Sequence, residues 1–98
     1  MLTVTIAPHS YQLGFDVGIT NGTEGVAVLY AVLSSGVSIH DLKGPTIAGL
    51  RSLPGRLNPG DRVNVDVRSS GVSKNQLLVV RYQLGDRLIE QEIVLDSH

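Results

Sequence analysis

The sequence predicts an all-β fold, an antiparallel β-sandwich of about seven strands, on three observations. Several runs alternate apolar and polar residues, which is the pattern of a strand with one buried face. Clusters of glycine and proline separate these runs at short intervals, as turns do. No stretch has the apolar spacing of an amphipathic helix. Half-buried strands need a second layer to cover them, and two packed sheets provide that layer.

Composition limits both the size and the class of the protein. The 98 residues predict a single domain over residues 1–98, and 42% hydrophobic content excludes disorder. The net charge is −1 and the eight Lys and Arg are dispersed, which argues against a nucleic-acid partner. The absence of cysteine excludes disulfides and thiolate metal sites.

Targeting and membrane signals are missing from the sequence. No apolar run approaches the roughly 20 residues of a membrane-spanning helix, so we expect no membrane contact by this domain itself. The N-terminus lacks the basic start and apolar region of a signal peptide. Strand-like residues directly after Met1 are typical of a fragment, in which an N-terminal anchor would go unseen.

The first half of the chain predicts four strands, over residues 2–6, 11–20, 26–33 and 37–39. The second has the clearest period of two, with Tyr11, Leu13, Phe15, Val17 and Ile19 facing inward. Its two outer glycines indicate either a bulge or the close approach of another backbone. The third has no alternation, so a strand covered on both faces is favoured over a short helix by its length and β-branched content.

The second half predicts a long connection and then three strands. Residues 40–56 are irregular. Ile47, Leu50 and Leu53 lie three apart and could form one helical turn, and a short strand is expected at 46–50. The strand at 61–69 alternates valines with polar residues and follows a type II turn, in which Pro59 and Gly60 take the central positions. A final hairpin joins residues 76–84 to 87–96 through Gly85 and Asp86, a pair that suits a type II′ turn.

This layout resembles the immunoglobulin-like modules of prokaryotic surface proteins. An Asn-x-Gly turn and a Leu-x-Pro-Gly strand with alternating valines recur in those modules. The run from Leu57 to Val67 matches the strand, whereas the turn here reads Asn21-Gly22-Thr23. The layout is also similar to the soluble domains of archaeal flagellum (archaellum) accessory proteins. The tryptophan and cysteines of antibody-type domains are missing. The resemblance implies an immunoglobulin-like Greek key, a cell-surface or extracellular location, and an assembly role, for example in motility.

Catalytic constellations are weak in this sequence. His9, His40 and Asp41 lie in or beside loops and could form a metal or acid–base site, although two separate loop histidines carry little information. Asp66, Glu90 and Glu92 alternate along strands as solvent-facing residues do, and Asp61 lies in a turn. The serines lack a nucleophile elbow. We therefore expect no enzyme activity, no cofactor and no metal.

Asn21-Gly22-Thr23 also matches the acceptor pattern for N-glycosylation. The Asn-Gly turn explains the same residues without any modification. The pattern would matter only in an exported protein.

Several strands carry apolar residues on their predicted outer faces, which face solvent in a small sandwich. Leu77, Val79, Leu88 and Val94 predict an interface, with Arg81 and Arg87 at its rim, unless the 40–56 connection covers it.

We expect a non-enzymatic protein-interaction module, a homodimer or part of a surface assembly. One alternative is a carbohydrate- or ligand-binding sandwich that uses loops near His9, His40 and Ser70 to Asn75. Another is a small hydrolase or metal enzyme whose pocket joins His9 to His40 and Asp41.

Overall fold

The computed structural model describes residues 2–9, 13–69 and 75–95 of the 98-residue chain. The described residues form eight strands and one turn of 3-10 helix. The strands are β1 (Thr3–Pro8), β2 (Gly14–Thr20), β3 (Ala27–Ser35), β4 (Val37–Lys43), β5 (Gly55–Leu57), β6 (Arg62–Ser69), β7 (Leu77–Leu84) and β8 (Arg87–Val94), and the 3-10 turn spans Leu50–Ser52.

The strands form two antiparallel sheets of four. One sheet has the order β1-β2-β6-β4 and the other has the order β5-β3-β7-β8. The predicted all-β, two-layer architecture is confirmed. The eighth strand is β5, a three-residue strand that the sequence does not signal because it has no room for an alternating pattern. None of the described residues forms a helix long and apolar enough to cross a membrane.

The core lies between the two sheets and follows the predicted alternation. Phe15, Val17 and Ile19 of β2 are buried, as is every valine of β6. The second sheet contributes Leu78, Val80 and Tyr82 of β7 among others. Burial of each such side chain stabilises the fold by about 1.5–3 kcal/mol.

The start of β2 differs from the prediction. The strand begins at Gly14, so Leu13 precedes it and is 64% exposed rather than inward-facing. A hydrogen bond from the His9 N–H to the Gly14 carbonyl closes the connection from β1 and ends the regular pairing there. Tyr11 lies outside the described residues.

The unpatterned run at residues 26–33 is a strand, as its length and β-branched content predict, and it lies inside its sheet. Tyr30 and Leu33 are exposed, so the expectation of a strand covered on both faces is wrong. β3 pairs with β5 on one side and β7 on the other, and its register with β7 shifts between Leu29 and Ala31. The extra residue in this bulge is Tyr30, which is 44% exposed. The sequence shows no period of two here because the outward residues of β3 are apolar as well, and the bulge in addition shifts the phase of the strand.

The connection at residues 40–56 joins the edge of one sheet to the edge of the other. It starts inside β4, passes through the 3-10 turn and ends in β5. The short strand predicted at residues 46–50 is wrong. Ile47 does not pair with another strand. Its side chain is 1% exposed, belongs to the core and packs against Gly55. The connection therefore leaves the outer face of the β5-β3-β7-β8 sheet uncovered.

Both predicted turns have the expected geometry. The Asp61 N–H donates to the Asn58 carbonyl at 2.9 Å and Gly60 has φ of 87°, as a type II turn requires. In the last hairpin Leu84 pairs with Arg87, and Gly85 has φ of 65° while no other residue type among the described ones has positive φ. This is the type II′ arrangement.

Candidate interaction surface

The outer face of the β5-β3-β7-β8 sheet carries contiguous apolar side chains, and we call it the apolar face. Cross-strand register places Leu33 beside Val79, and Leu77 beside Val94. Leu88 lies at the other end of β8. The members of the apolar face are Tyr30, Leu33, Leu77, Val79, Arg81, Gln83, Leu88, Glu90, Glu92 and Val94.

The structure brings most of the predicted interface residues together on this face. Leu88 and Val94 are 78% and 67% exposed, and Leu77 and Val79 are half-buried by their neighbours in the sheet. Arg81 lies inside the face, opposite Glu90, and not at its rim as predicted. Arg87 differs, because its place in the alternation puts it on the opposite side of β8 from Leu88, beside the hairpin turn.

Sequence reasoning missed the β3 contribution to the apolar face. Leu33 is 45% exposed and Tyr30 is 44% exposed, although both come from the run without alternation. A strict period of two would place Tyr30 and Leu33 on opposite faces, whereas the bulge shifts the phase of the strand and leaves both on the outer face. Tyrosine within an otherwise aliphatic run is the one available signal, since a buried phenol needs a partner.

A groove of about 530 Å³ crosses the apolar face near the last hairpin. Its lining includes Tyr30, Arg81, Gln83, Leu88 and Glu90. The Tyr30 hydroxyl donates to Gln83 Oε1 at 3.0 Å, and Arg81 Nε lies 3.6 Å from Glu90 Oε2. Tyrosine and arginine beside an apolar anchor are the residue types that dominate binding energy at protein interfaces.

The outer face of the other sheet is polar by contrast. The Arg62 guanidinium lies across Gly18 and donates to Asn64 Oδ1 at 3.1 Å and to Thr5 Oγ1 at 3.3 Å. The outer positions of the central strand β6 are Arg62, Asn64, Asp66 and Arg68, with no apolar residue among them. Among the described residues, the outer face of this sheet is therefore polar along its central strand, in contrast to the apolar face.

A second cluster lies on the polar face, around His9. His9 is 7% exposed, its Nε2 lies 2.8 Å from Asp66 Oδ1, and its Nδ1 lies 3.4 Å from Asp16 Oδ2. Asp16 and Asp66 are direct cross-strand partners, a placement in which like charges repel. His9 bridges the two carboxylates, and Arg68 Nη2 approaches Asp66 Oδ2 at 3.4 Å.

The same cluster is the one group among the described residues that could ligate a metal ion. Ligand atoms of His9, Asp16 and Asp66 lie within 4.8 Å of one another. Imidazole and carboxylates suit several divalent metals. However, Arg68 already places a positive charge beside Asp66, and His9 already contacts both carboxylates, so these oxygens have partners within the protein.

Asp41 lies next to the His9 cluster, because it is opposite Asp66 in the register of β4 with β6. His40 is exposed in the β4 bulge, between Ile39 and Asp41. Asp41 accepts from the Leu42 N–H at 2.9 Å and lies 3.6 Å from Lys43 Nζ. The described carboxylate contacts of His9 are Asp16 and Asp66 rather than Asp41.

The loop proposed for ligand binding falls mostly outside the described residues. Ser70 and the four residues after it are not described, and Asn75 is exposed. The ligand-binding alternative therefore stays a prediction.

Asn21 is a buried structural residue. Its Nδ2 donates to the carbonyls of Gly25 and Leu57, each at 2.8 Å, and its Oδ1 accepts from the Thr23 N–H at 3.1 Å. Asn21 is 0% exposed. A glycan on Nδ2 would replace one of the two donated hydrogens and would have to be attached at a fully buried residue, so we expect the folded domain to carry Asn21 unmodified.

The comparisons with known proteins identify no relative: no protein family model matches the chain, and no curated protein or solved structure matches it.

Proposed function

We propose that this domain is a non-enzymatic protein-interaction module that self-associates through the apolar face. The observation that carries the proposal is the contrast between the two outer faces. On the outer face of one sheet, Leu33 pairs with Val79 and Leu77 pairs with Val94. The outer face of the other sheet is polar. Contiguous exposed apolar surface of this kind marks interaction sites in soluble proteins.

A second copy of the chain suits the apolar face in charge and in size. A two-fold axis sets the same surface against itself, so the surface must be self-complementary. Arg81 and Glu90 give the face neighbouring charges of both signs, and rotation by two-fold symmetry can bring unlike charges together. The molecule measures 39 × 22 × 22 Å, and one long side supplies the roughly 800 Å² per partner of a standard interface.

The strand order supports the finer fold proposal, an immunoglobulin-like Greek key. Immunoglobulin domains place strands A, B, E and D in one sheet and C, F and G in the other. With β5 set aside, the seven longer strands in chain order pair in that way, as β1-β2-β6-β4 and β3-β7-β8. β5 is then an addition at the edge of the second sheet.

A surface assembly is the proposed biological setting, including an archaellum-type appendage. Its support is the resemblance carried by the Asn21 turn and by the Pro59-Gly60 turn with its alternating valines. Fractionation of the native source, with antibody detection of the chain, tests this setting. Detection in the cytoplasmic fraction alone would contradict it.

Light scattering over a dilution series tests self-association. Val79→Asp places a charge at the centre of the apolar face, and Val94→Asp places one at an exposed edge position where folding should tolerate it. Ser38→Asp is the matched control, because Ser38 is an exposed residue on the edge strand of the polar face. Thermal unfolding of each variant verifies that it is folded.

We expect a concentration-dependent dimer for the wild type and for Ser38→Asp, and a folded monomer for Val94→Asp. A wild-type monomer at every concentration would overturn the proposal. So would a dimer that both apolar-face variants leave intact.

A further inference from the structure

Strand β8 is a regular edge strand with no partner on one side in the described part of the chain. All eight of its residues pair in unbroken register with β7, from Arg87 opposite Leu84 to Val94 opposite Leu77. Its other side faces no described strand. Alternate N–H and C=O groups along an edge strand are unpaired and can accept a further strand.

The other three edges carry features that obstruct strand addition. β5 has only three residues. β4 has a bulge at His40, which twists the strand and breaks its ladder. β1 ends at Pro8, which has no N–H to donate. Among the described edges, only β8 combines full length with an uninterrupted ladder.

The side chains of β8 place two negative charges between two apolar residues along the open edge. Glu90 and Glu92 lie two residues apart on the apolar face, with Leu88 before them and Val94 after them. Glu90 is near Arg81, whereas Glu92 lies opposite Val79 and has no ion pair among the described residues. An added strand would place its own side chains directly opposite these four.

A second copy of this chain cannot supply the matching strand. In two-fold antiparallel pairing of β8 with itself, the registers that align most residues set Glu90 opposite either Glu92 or the Glu90 of the other copy. Such like-charge pairs are destabilising. Elsewhere in the 98 residues no two Lys or Arg are spaced two apart, so no other segment offers paired cations at strand spacing.

We propose that β8 accepts, by strand addition, an extended segment of another protein that carries two Lys or Arg residues spaced two apart between flanking apolar residues. The cations meet Glu92 and Glu90, and the apolar residues meet Val94 and Leu88. This pattern reads the same in both directions, so it fits a parallel or an antiparallel strand. The inference does not rest on self-association through the apolar face.

A fluorescent peptide with the sequence Val-Thr-Lys-Thr-Lys-Thr-Leu is the probe. Its acidic counterpart replaces both Lys with Glu, and a third peptide moves the two Lys by one residue, which turns them to the other side of the strand. Anisotropy titrations against monomeric protein at low concentration give the three dissociation constants. Hydrogen exchange with and without the basic peptide locates the site.

We expect the basic peptide to bind at least tenfold more tightly than either control, and the β8 amides to gain protection. Glu92→Lys should weaken that binding about tenfold, whereas Glu24→Lys, an exposed turn residue with the same charge change, should leave it unaltered. The double variant Glu90→Lys/Glu92→Lys should prefer the acidic peptide.

Several outcomes would overturn the inference. One is equal binding of the three peptides or no binding of the basic one. Another is protection away from β8. A third is equal loss of affinity in Glu92→Lys and Glu24→Lys, which would indicate general electrostatic attraction instead of strand addition.

Discussion

The side-chain amide of Asn21 donates to the carbonyl oxygen of Leu57 at 2.8 Å, although 36 residues separate the two in sequence. The backbone of Asn21 also bonds to the turn after β5, through the Asp61 carbonyl and the Gly60 N–H. One buried residue thus joins the end of β2 to β5 and to the Pro59-Gly60 turn. The Asn-Gly pattern at this turn has a long-range structural role as well as a local one.

Replacing Asn21 with Asp should destabilise the domain by about 2–4 kcal/mol. The carboxylate loses both donated bonds and faces two carbonyl oxygens in a buried site, which costs more than a neutral loss. Urea denaturation measures the change. Asn64→Asp, an exposed change of the same chemistry, should stay within about 0.5 kcal/mol, and equal effects at the two sites would contradict the role given to Asn21.

Gly14→Ala and Gly18→Ala form a matched pair on β2. A Cβ at Gly14 would collide with the Val67 carbonyl, a backbone atom that cannot move aside, and φ at Gly14 is 147°. A Cβ at Gly18 would meet only the end of the flexible Arg62 side chain. We expect a loss of about 2 kcal/mol or more in the free energy of unfolding for Gly14→Ala, in line with strain at special backbone positions.

Gly18→Ala should change stability by less than about 1 kcal/mol, because alanine lowers the entropy of the unfolded chain while Arg62 shifts. Thermal unfolding of both variants, side by side, gives the comparison. The reverse order of effects would show that the Arg62 contact is the tighter one.

His9→Leu should lower stability by about 1–3 kcal/mol and make it salt-dependent. The variant leaves Asp16 and Asp66 side by side without the imidazole between them, and their repulsion is reduced as salt screens it. Urea midpoints at low and high salt test this. His40→Leu removes an exposed histidine and should show neither effect, so a similar salt response in both variants would count against the His9 bridge.

Tyr82→Phe should cost about 1–2 kcal/mol, since the hydroxyl is buried and satisfies two groups. It donates to Gln91 Oε1 at 3.0 Å and accepts the Leu2 N–H at 3.3 Å. Hydrogen exchange should show faster opening of β1, which Leu2 precedes. Tyr30→Phe loses only an exposed bond and is the control; unchanged β1 protection in Tyr82→Phe would refute the link.

The fold was predictable where burial follows a local period. Val63, Val65 and Val67 alternate with polar residues, so sequence alone identifies their strand and its inner face. The conformation of residues 46–50 was not predictable, because Ile47 is held by packing against Gly55 and not by hydrogen bonds to a neighbouring strand. The outward position of Leu33 was also unpredictable, because a bulge changes the phase of β3 after Leu29.

The apolar face and the His9 cluster also differ in how far the sequence alone predicts them. Leu77 and Val79 could be assigned to an outer face from alternation within one hairpin. The contact of His9 with Asp66 joins residues 57 apart, so no local pattern announces it. The sequence of a strand indicates which of its faces is apolar. The pairing of strands that are distant in sequence decides which side chains come into contact.

The unlike outer faces of the sandwich have a consequence for the size of any assembly. A two-fold contact through the apolar face uses that face on both copies and turns the polar faces outward, so association closes at two. Polymer growth then needs a contact of a different kind. Each copy has one open β8 edge at the border of the apolar face. A dimer could therefore bind at most two other proteins by strand addition.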